Sequence, residues 1–248
     1  MEDLLRVEAL CREPILDRVS FTMNSGEMVA IMGPSGSGKS TLLYQVAGMD
    51  QPTSGRVYLA GQEITGISEE KRAEIRLHRM GFVFQQMNMM GKLNILDNIL
   101  LPAAEANRVL HNRSKLELRK EAESLMQKLS VLELKERSIT EVSGGQLQRA
   151  CICRSMINRP EILLADEPTG ALNKSAAAEV MDTFVKLNQE GTTILLVTHD
   201  SKVAGRCGRI LYLLDGRICG ELLLQRPGAG TQKRREETVN QWLEMMGW

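Results

Sequence analysis

The chain has 248 residues, a length that suits one large α/β domain or one such domain with an inserted subdomain. Its 31 basic and 31 acidic residues give a formal net charge of +0, which argues against a dedicated nucleic-acid binder. No apolar run approaches the roughly 18–20 residues that a membrane helix needs, and the acidic start shows no signal-peptide pattern. We therefore expect an intracellular protein without nucleic acid as a partner, which would need a second protein for any membrane role.

The cysteine pattern bears on metal sites and on redox chemistry. No two cysteines form a CxxC pair, and Cys151 and Cys153 lie two apart in a helical pattern, where such neighbours face different ways. This spacing favours reduced, buried thiols over a metal site or a disulfide framework. The cysteines are Cys11, Cys151, Cys153, Cys207 and Cys219.

The first third of the chain is rich in strand patterns. A turn at residues 52–55 separates two of them, and the alternation around it predicts an antiparallel, hairpin-like sheet beside the first core strand. Ser68 followed by acidic residues predicts a helix over residues 69–78. Strands are predicted at residues 4–10, 15–21, 28–32, 56–60 and 81–84.

The character of the sequence changes at about residue 87. Beyond it, apolar residues recur three and four apart, and after residue 160 strand patterns return. This order predicts an α/β core with an antiparallel β subdomain and an inserted α-helical subdomain. Helices are predicted at residues 93–106, 114–129 and 147–158, and strands at residues 162–165, 193–197 and 210–214.

The predicted domain boundaries follow from these changes of pattern. Residues 1–86 and 160–225 form the core with its β subdomain, residues 87–159 the helical subdomain, and residues 226–248 a C-terminal hinge and amphipathic helix. Residues 226–230 are rich in Pro and Gly, as a hinge would be. The helix has one apolar face, which either docks on the core or contacts a partner chain. That face consists of Val239, Trp242, Leu243 and Met246.

A glycine-rich stretch lies between the strand predicted at residues 28–32 and a helix predicted at residues 41–47. It fits the P-loop pattern G-x-x-x-x-G-K-[ST] in the strand–loop–helix context that gives the pattern its meaning. Glycines let backbone N–H groups turn inward, and the start of the helix adds its positive end. Lys39 can reach the β- and γ-phosphates, and the Ser40 hydroxyl can bind Mg²⁺. The residues predicted to hold a nucleoside triphosphate in this P-loop NTPase core are Gly33, Pro34, Ser35, Gly36, Ser37, Gly38, Lys39, Ser40 and Thr41.

Two acidic residues follow the buried strand predicted at residues 162–165. A strand that ends in carboxylates places them at the carboxyl edge of the sheet, where open α/β sheets bind ligands. Asp166 suits Mg²⁺ held through water, and Glu167 suits a general base that activates the attacking water. The sequence therefore predicts hydrolytic chemistry on the nucleotide.

A second glycine-rich helix start occurs at Ser143, Gly144, Gly145 and Gln146. Serine at the cap and two glycines recreate an anion-binding arrangement like that of the P-loop. One nucleotide does not need two such cradles on one chain, whereas two copies packed head to tail would use both. We therefore predict a dimer in which each nucleotide touches both chains.

The motifs, taken in order, resemble those of the ATP-binding-cassette (ABC) ATPases. They are the P-loop, a glutamine after a strand, Ser-Gly-Gly-Gln, an apolar run ending in Asp-Glu, and a later Thr-His-Asp, and together they cover about residues 5–225. The resemblance implies that Gln85 senses Mg²⁺ and the γ-phosphate and links to a membrane subunit. It also implies that Ser143 and its glycines close on ATP held by the opposite protomer.

The same resemblance implies a complete set of site residues for the cofactors ATP and Mg²⁺. His199 contacts the γ-phosphate in this family pattern, so the implied catalytic residues are Glu167, His199 and Gln85. The implied metal ligands are Ser40, Gln85 and Asp166.

Three stretches, at residues 31–43, 81–85 and 164–170, narrow the resemblance to the group that serves lipoprotein release, macrolide export and antimicrobial-peptide resistance. Residues 98–102 fit the same group, and the tail helix is similar to that of its bacitracin-type branch. The resemblance implies a cytoplasmic ATPase, attached to the inner face of the cell membrane through an integral permease subunit. It would drive export or extraction of a peptide, a lipoprotein or an amphipathic antimicrobial. The alternative is an ATPase partner that gates a membrane protein of cell division without moving a substrate.

The sequence departs from the family pattern near the P-loop and after Glu167. Where the family has an aromatic residue for adenine, this chain has residues 9–12, Ala-Leu-Cys-Arg. Loss of base stacking, worth about 1–3 kcal/mol, would loosen the choice of nucleotide. The Asp usual in the loop after Glu167 is replaced by Asn173, which keeps the shape and removes a charge.

Residues 87–90, Met-Asn-Met-Met, directly follow the glutamine pair at the end of a predicted strand. Methionine adapts to irregular surfaces, so this stretch predicts the lining of a groove for a membrane-subunit helix. Ordinary core packing is the alternative.

Overall fold

The computed structural model describes residues 3–110, 113–224 and 232–248. Its strands, in chain order, are β1 (Leu5–Arg12), β2 (Leu16–Met23), β3 (Met28–Met32), β4 (Ser54–Leu59), β5 (Gln62–Glu63), β6 (Met80–Val83), β7 (Ile162–Asp166), β8 (Thr193–Val197), β9 (Arg209–Leu214) and β10 (Arg217–Leu223). Its α-helices are α1 (Lys39–Val46), α2 (Glu69–Arg79), α3 (Ile95–Leu110), α4 (Lys115–Lys128), α5 (Gly144–Met156), α6 (Lys174–Gln189), α7 (Ser201–Ala204) and α8 (Gln232–Met245).

The main sheet has six strands in the order β10-β9-β3-β8-β7-β6. β3, β7 and β8 are buried along their whole length, as is typical of parallel strands covered on both faces. The strands from β9 to β6 pair in parallel, and β10 at the edge is antiparallel. The parallel strands therefore all end at one edge of the sheet, and the predicted α/β class is confirmed.

A second, antiparallel sheet has the strand order β2-β1-β4-β5. Apolar residues of this sheet share one core cluster with the main sheet, for example Val7 and Val57 with Ile31 and Leu195. The antiparallel region predicted from alternation is thus confirmed, and it packs beside the strand that leads into the P-loop.

The helical part of the chain differs from the prediction at its ends. α5 begins at Gly144, three residues before the predicted start, because Ser143 caps it. α3, α4 and α5 pack on one another, while the boundaries predicted for the helical subdomain at residues 87 and 159 stay a prediction. Within the described ranges, no helix combines the length and the apolar character needed to cross a bilayer.

The C-terminal helix α8 docks on the core, which is one of the two possibilities that the sequence left open. Arg235 on this helix is buried, and its Nε donates to the Gly205 carbonyl at 2.7 Å. The hinge predicted at residues 226–230 lies outside the described residues. All four residues of the predicted apolar face belong to the core cluster or pack against it: Val239, Trp242, Leu243 and Met246.

The prediction of buried thiols is correct for Cys151, Cys153 and Cys207 and wrong for Cys219, which is exposed; Cys11 is half-buried. All five thiols are free, as predicted. Burial raises the pKa of Cys151 to about 11 and that of Cys207 to about 12, so neither is a nucleophile at neutral pH. Cys219 is exposed because it lies on β10, the edge strand.

The buried side chain of Gln45 makes no hydrogen bond to any described residue. Gln45 on α1 is 0% exposed, and neither its Oε1 nor its Nε2 has a partner. Its helix neighbours Leu42, Leu43 and Val46 are buried apolar residues. A buried amide in such surroundings costs about 1–3 kcal/mol.

We expect Gln45→Met to raise the free energy of unfolding by about 1–3 kcal/mol, because methionine has a similar length and carries no unpaired amide. Urea denaturation of the nucleotide-free protein, followed by circular dichroism, measures this. The matched control is Gln127→Met at an exposed position on α4, which should change stability by less than about 0.5 kcal/mol. Loss of stability in Gln45→Met would contradict the interpretation.

Candidate active site

The P-loop connects β3 to α1 at the carboxyl edge of the main sheet. A Cβ on Gly33 would stand 2.0 Å from the Leu213 carbonyl oxygen, so glycine is required where the loop passes β9. Residues 34–36 are exposed at the tip of the loop. α1 begins at Lys39, so its first N–H groups, which lack partners within the helix, border the loop. The result is a cradle of backbone donors at the positive end of a helix.

Lys39 is folded back over this cradle. Its Nζ donates to the carbonyl oxygens of Gly33 at 2.8 Å and Pro34 at 2.9 Å. Burial lowers the pKa of Lys39, and the nearby charges of Glu167 and Asp166 oppose that shift. A phosphate that accepts from Nζ would replace two neutral partners by a charged one, which is a stronger interaction.

Ser40 and Asp166 join α1 to the end of β7. The Ser40 hydroxyl donates to Asp166 Oδ1 at 2.9 Å, although the two residues lie 126 positions apart in the chain. Asp166 is 4% exposed. Hydroxyl and carboxylate oxygens are ligands that Mg²⁺ accepts, together with waters and phosphate oxygens.

The donor set suits Mg²⁺ that arrives with a nucleotide. Among the residues that the structure describes, no group of three or more His, Cys, Asp or Glu side chains could hold a metal ion. Mg²⁺ is usually bound by one or two carboxylates plus substrate phosphates, and one carboxylate with one hydroxyl meets that requirement. Ser40 and Asp166 therefore fit the metal, provided that the nucleotide supplies the other ligands.

Glu167 and His199 form a second contact at the same edge. The Nδ1 atom of His199 lies 2.8 Å from Oε1 of Glu167, and the Glu167 side chain is 13% exposed whereas that of His199 is 65% exposed. Glu167 has a φ of +44°, a conformation uncommon for a residue other than glycine. Its N–H donates to the Val197 carbonyl at 3.0 Å, which fixes this turn to the end of β8. Strained backbone of this kind is often found at functional sites.

Gln85 lies just beyond the end of β6, and its side chain is directed toward the loop after Glu167. Its Nε2 is 3.2 Å from the position that a Cβ on Gly170 would take. The structure thus brings Gln85 to the loop of the Asp-Glu pair. Its predicted contact with a metal stays a prediction.

The second glycine-rich helix start lies at the junction of α5 and α6. The Ser143 hydroxyl accepts from the Gln146 N–H at 3.3 Å, and the Gln146 side chain accepts from the Ser143 N–H at 2.9 Å. A Cβ on Gly145 would stand 2.9 Å from the Ala176 Cβ, so this glycine allows the two helices to approach closely. The side-chain hydrogen bonds of Ser143 and Gln146 are thus made with each other and not with the P-loop of the same chain.

Two positions where the sequence departs from the family pattern have local explanations. Asn173 caps α6, and its Oδ1 accepts from the Ala176 N–H at 2.9 Å, so the expected shape is kept. Arg12 is held by Asp50 through hydrogen bonds of 2.9 and 3.3 Å. Beside the P-loop lies the aliphatic side chain of Ile15, which is 42% exposed and whose Cγ2 would stand 3.1 Å from a Cβ on Gly38.

Sequence reasoning missed Tyr44. Burial, together with the influence of the Asp166 carboxylate, raises the pKa of Tyr44 to about 12. The phenol therefore remains protonated at neutral pH. The available signal was its position four residues after Ser40, which places both side chains on one face of α1.

A separate cavity of about 660 Å³ lies at the opposite edge of the main sheet, beside the starts of β3 and β9. Its two arginines already have carboxylate partners: Arg206 pairs with Asp182, and Arg209 pairs with Glu221. This cavity is remote from the P-loop and adds nothing to the phosphate site.

The comparisons with known proteins agree with this geometry. The family profile described as ABC transporter matches residues 16–170. The chain is 41% identical over 208 residues to the lipoprotein-releasing system ATP-binding protein LolD 2 of Rhodospirillum rubrum, covering 84% of this chain and 88% of that protein. It is 40% identical over 204 residues to YknY of Bacillus subtilis, an uncharacterized ABC transporter ATP-binding protein, covering 82% of this chain and 86% of that protein.

A longer relative and a solved structure complete the comparison. The chain is 40% identical over 207 residues to the macrolide export ATP-binding/permease protein MacB of Bartonella henselae, but spans only 31% of that protein. The ATP-binding cassette MJ0796, solved as a dimer in a post-hydrolysis state with ADP and Pi, superposes with a TM-score of 0.80 at 35% identity. The match covers 89% of this chain and 99% of that one. The chain therefore belongs to the ABC transporter family and is an ATP-hydrolysing cassette of that family.

Proposed function

We propose that this chain is a cytoplasmic ATPase subunit that drives export or extraction of a peptide, a lipoprotein or an amphipathic antimicrobial through a membrane permease. The observation that carries the proposal is the meeting of Lys39, Ser40, Asp166, Glu167 and His199 at one edge of the main sheet. The names of LolD 2 and MacB support the cargo class. Both names describe transport, which favours this function over the gating of a membrane protein in cell division.

The residues at this edge suit hydrolysis of the γ-phosphate. Lys39 exchanges its carbonyl partners for the β- and γ-phosphate oxygens and so orients the chain of phosphates. Glu167 takes the proton of the attacking water as general base. His199, whose Nδ1 lies 2.8 Å from Oε1 of Glu167, keeps that carboxylate in place, and its exposed ring would be available to the γ-phosphate.

Ser40 and Asp166 would hold Mg²⁺, and Gln85, whose side chain lies beside Gly170 in the loop after Glu167, is the further proposed ligand. When bound, Mg²⁺ neutralises charge on the β- and γ-phosphate oxygens. Asp166 is buried and already oriented by Ser40, so the carboxylate needs little reorganisation to receive the ion.

We infer that the working unit is a head-to-tail dimer with two ATP molecules. Ser143 and its glycines form a helix start whose N–H groups meet no carboxylate among the described residues, and the tip of the P-loop, at residues 34–36, is exposed. In the proposed dimer the Ser143 region of one copy covers the triphosphate on the P-loop of the other. The cassette MJ0796, solved as a dimer with ADP and Pi, supports the dimeric state.

A groove beside the site suits a permease helix. It has a volume of about 430 Å³ and is lined by Met49, Phe82, Phe84, Asn88, Pro102 and Arg154 among others. Of residues 87–90, only Asn88 lines it, whereas Met89 packs against the core and Met90 is 57% exposed. Adaptable apolar side chains in a groove favour an inserted amphipathic helix as the partner.

We expect Glu167→Gln to bind ATP, to dimerise with it, and to lose about 10²–10⁴ in turnover, because the amide cannot accept the water proton. Phosphate release and size-exclusion chromatography with and without ATP measure these effects. Glu133→Gln, at an exposed position outside the site, should keep normal turnover. Normal hydrolysis by Glu167→Gln would refute the base assignment.

Ser143→Ala offers a test of the second cradle. Loss of the cap should lower the free energy of unfolding by about 1 kcal/mol. ATP turnover should fall about tenfold or more, because a hydrogen bond to a charged group is worth about 1.5–3 kcal/mol.

The control for this variant is Ser114→Ala, which removes an equivalent capping box from α4. It should cost a similar amount of stability and leave turnover unchanged. Equal loss of turnover in both variants would mean that Ser143 acts through folding alone.

The groove is tested by Met49→Glu, which places a charge among its apolar residues. Binding to inside-out membrane vesicles of the native host should weaken about tenfold, the loss of one good interface contact, while basal ATP turnover stays unchanged. Met245→Glu, on α8 at 78% exposure, is the control and should bind vesicles normally. Unchanged vesicle binding by Met49→Glu would remove the groove from the permease interface.

A further inference from the structure

The segment that follows His199 is fastened to the C-terminal helix. Directly after His199 the chain forms the single turn α7, which the side chain of Asp200 caps. Arg235 on α8 reaches the far end of this turn: its Nε donates to the Gly205 carbonyl at 2.7 Å, and its Nη2 donates to the Cys207 carbonyl at 2.5 Å. One guanidinium therefore holds two carbonyl groups of the segment that leaves the active site.

The start of α8 lies against α7 at the same place. Gln232 Nε2 donates to the Lys202 carbonyl at 3.3 Å, and a Cβ on Gly205 would stand 3.5 Å from the backbone nitrogen of Glu236. Arg235 is 6% exposed. A buried guanidinium is costly unless its N–H groups are hydrogen-bonded, so the docked position of α8 requires the end of α7 to present its carbonyl groups there.

His199 is thus held through the backbone on both sides. On its N-terminal side, the Thr198 N–H donates to the Ile31 carbonyl at 3.1 Å, which ties the chain to the end of β3. On its C-terminal side, α7 packs on β3 and is held by Arg235. The His199 side chain itself is 65% exposed, so packing around the ring does little to fix it. Its place opposite Glu167 therefore depends on these two anchors.

We propose that Arg235 is a positioning residue for ATP hydrolysis: by holding the end of α7, it keeps the His199 ring opposite Glu167. The inference rests on the proposed role of His199 at the γ-phosphate. A displacement of about 1 Å at the reacting groups can cost about 10²-fold in rate, so a loosened α7 lowers the rate of the chemical step. ATP is held mainly by the P-loop between β3 and α1, so its affinity should stay the same.

The experiment is a double-mutant cycle of Arg235→Met and His199→Ala in the full chain. Single-turnover hydrolysis of radiolabelled ATP gives the rate, and equilibrium binding of a non-hydrolysable ATP analogue gives the affinity. We expect Arg235→Met alone to lower the rate about tenfold and to keep the affinity within about twofold. In the His199→Ala background the same change should lower the rate less than about twofold, because two residues that act through one group are not additive.

Fluorescence separates this role from loss of the docked helix. Trp242 and Trp248 are the two tryptophans of the chain, and the ring centroid of each lies 6.1 Å from that of Tyr212 in an edge-on contact. Their emission therefore reports whether α8 stays docked. Arg235→Lys keeps the charge and a donor, so it should keep the emission and recover part of the rate. If Arg235→Met shifts the emission to the red, the cycle is measured with Arg235→Lys.

The control is Arg72→Met, because Arg72 on α2 is also buried, at 4% exposure, and hydrogen-bonds Glu69 at 3.0 Å. It should lower the urea midpoint and leave the single-turnover rate unchanged. An unchanged rate in Arg235→Met, or an equal loss of rate with and without His199, overturns the positioning role while the proposed site stands. A normal rate in His199→Ala would instead overturn the proposed role of His199, and this inference with it.

Discussion

The hydrogen bond between Ser40 and Asp166 is the contact on which the rest of the site depends. It spans from the helix that follows the P-loop to the end of β7, across the width of β8. The span is possible because β3, β8 and β7 are parallel neighbours in register, with Ile31 beside Val197 and Val197 beside Asp166. A shift of one residue in any of these pairings would turn Asp166 to the other face of the sheet.

The same register arranges the second pair of groups. The Glu167 N–H donates to the Val197 carbonyl, and the Thr198 N–H donates to the Ile31 carbonyl. These two hydrogen bonds connect the carboxyl ends of β7, β8 and β3. His199 follows Thr198 directly and therefore meets Glu167 without any special loop. The acid and the histidine are thus brought together by backbone pairing, and their side chains add only the last 2.8 Å contact.

Local patterns were sufficient for much of this fold. Apolar runs, such as residues 28–32 and 162–165, identified the buried parallel strands, and the P-loop was recognisable because strand, glycines and helix occur consecutively. What local patterns could not provide were contacts between distant segments. Tyr44 is an ordinary helical residue in the sequence, and only the packing of α1 against β7 brings it to Asp166. The exposure of Cys219 likewise depends on the position of β10 at the edge of the main sheet. The residue pattern of β10 alone does not reveal that position.

The capping box at Ser143 is already complete in the isolated chain. The first turn of α5 is therefore rigid before any second molecule arrives, and the N–H groups of Gly144 and Gly145 remain without intrahelical acceptors. In the proposed dimer, encounter of this turn with a triphosphate would not wait for local ordering, and little conformational entropy would be lost within the turn. In the proposed dimer, the speed of closure would then be set by diffusion and by the mutual orientation of two preformed surfaces.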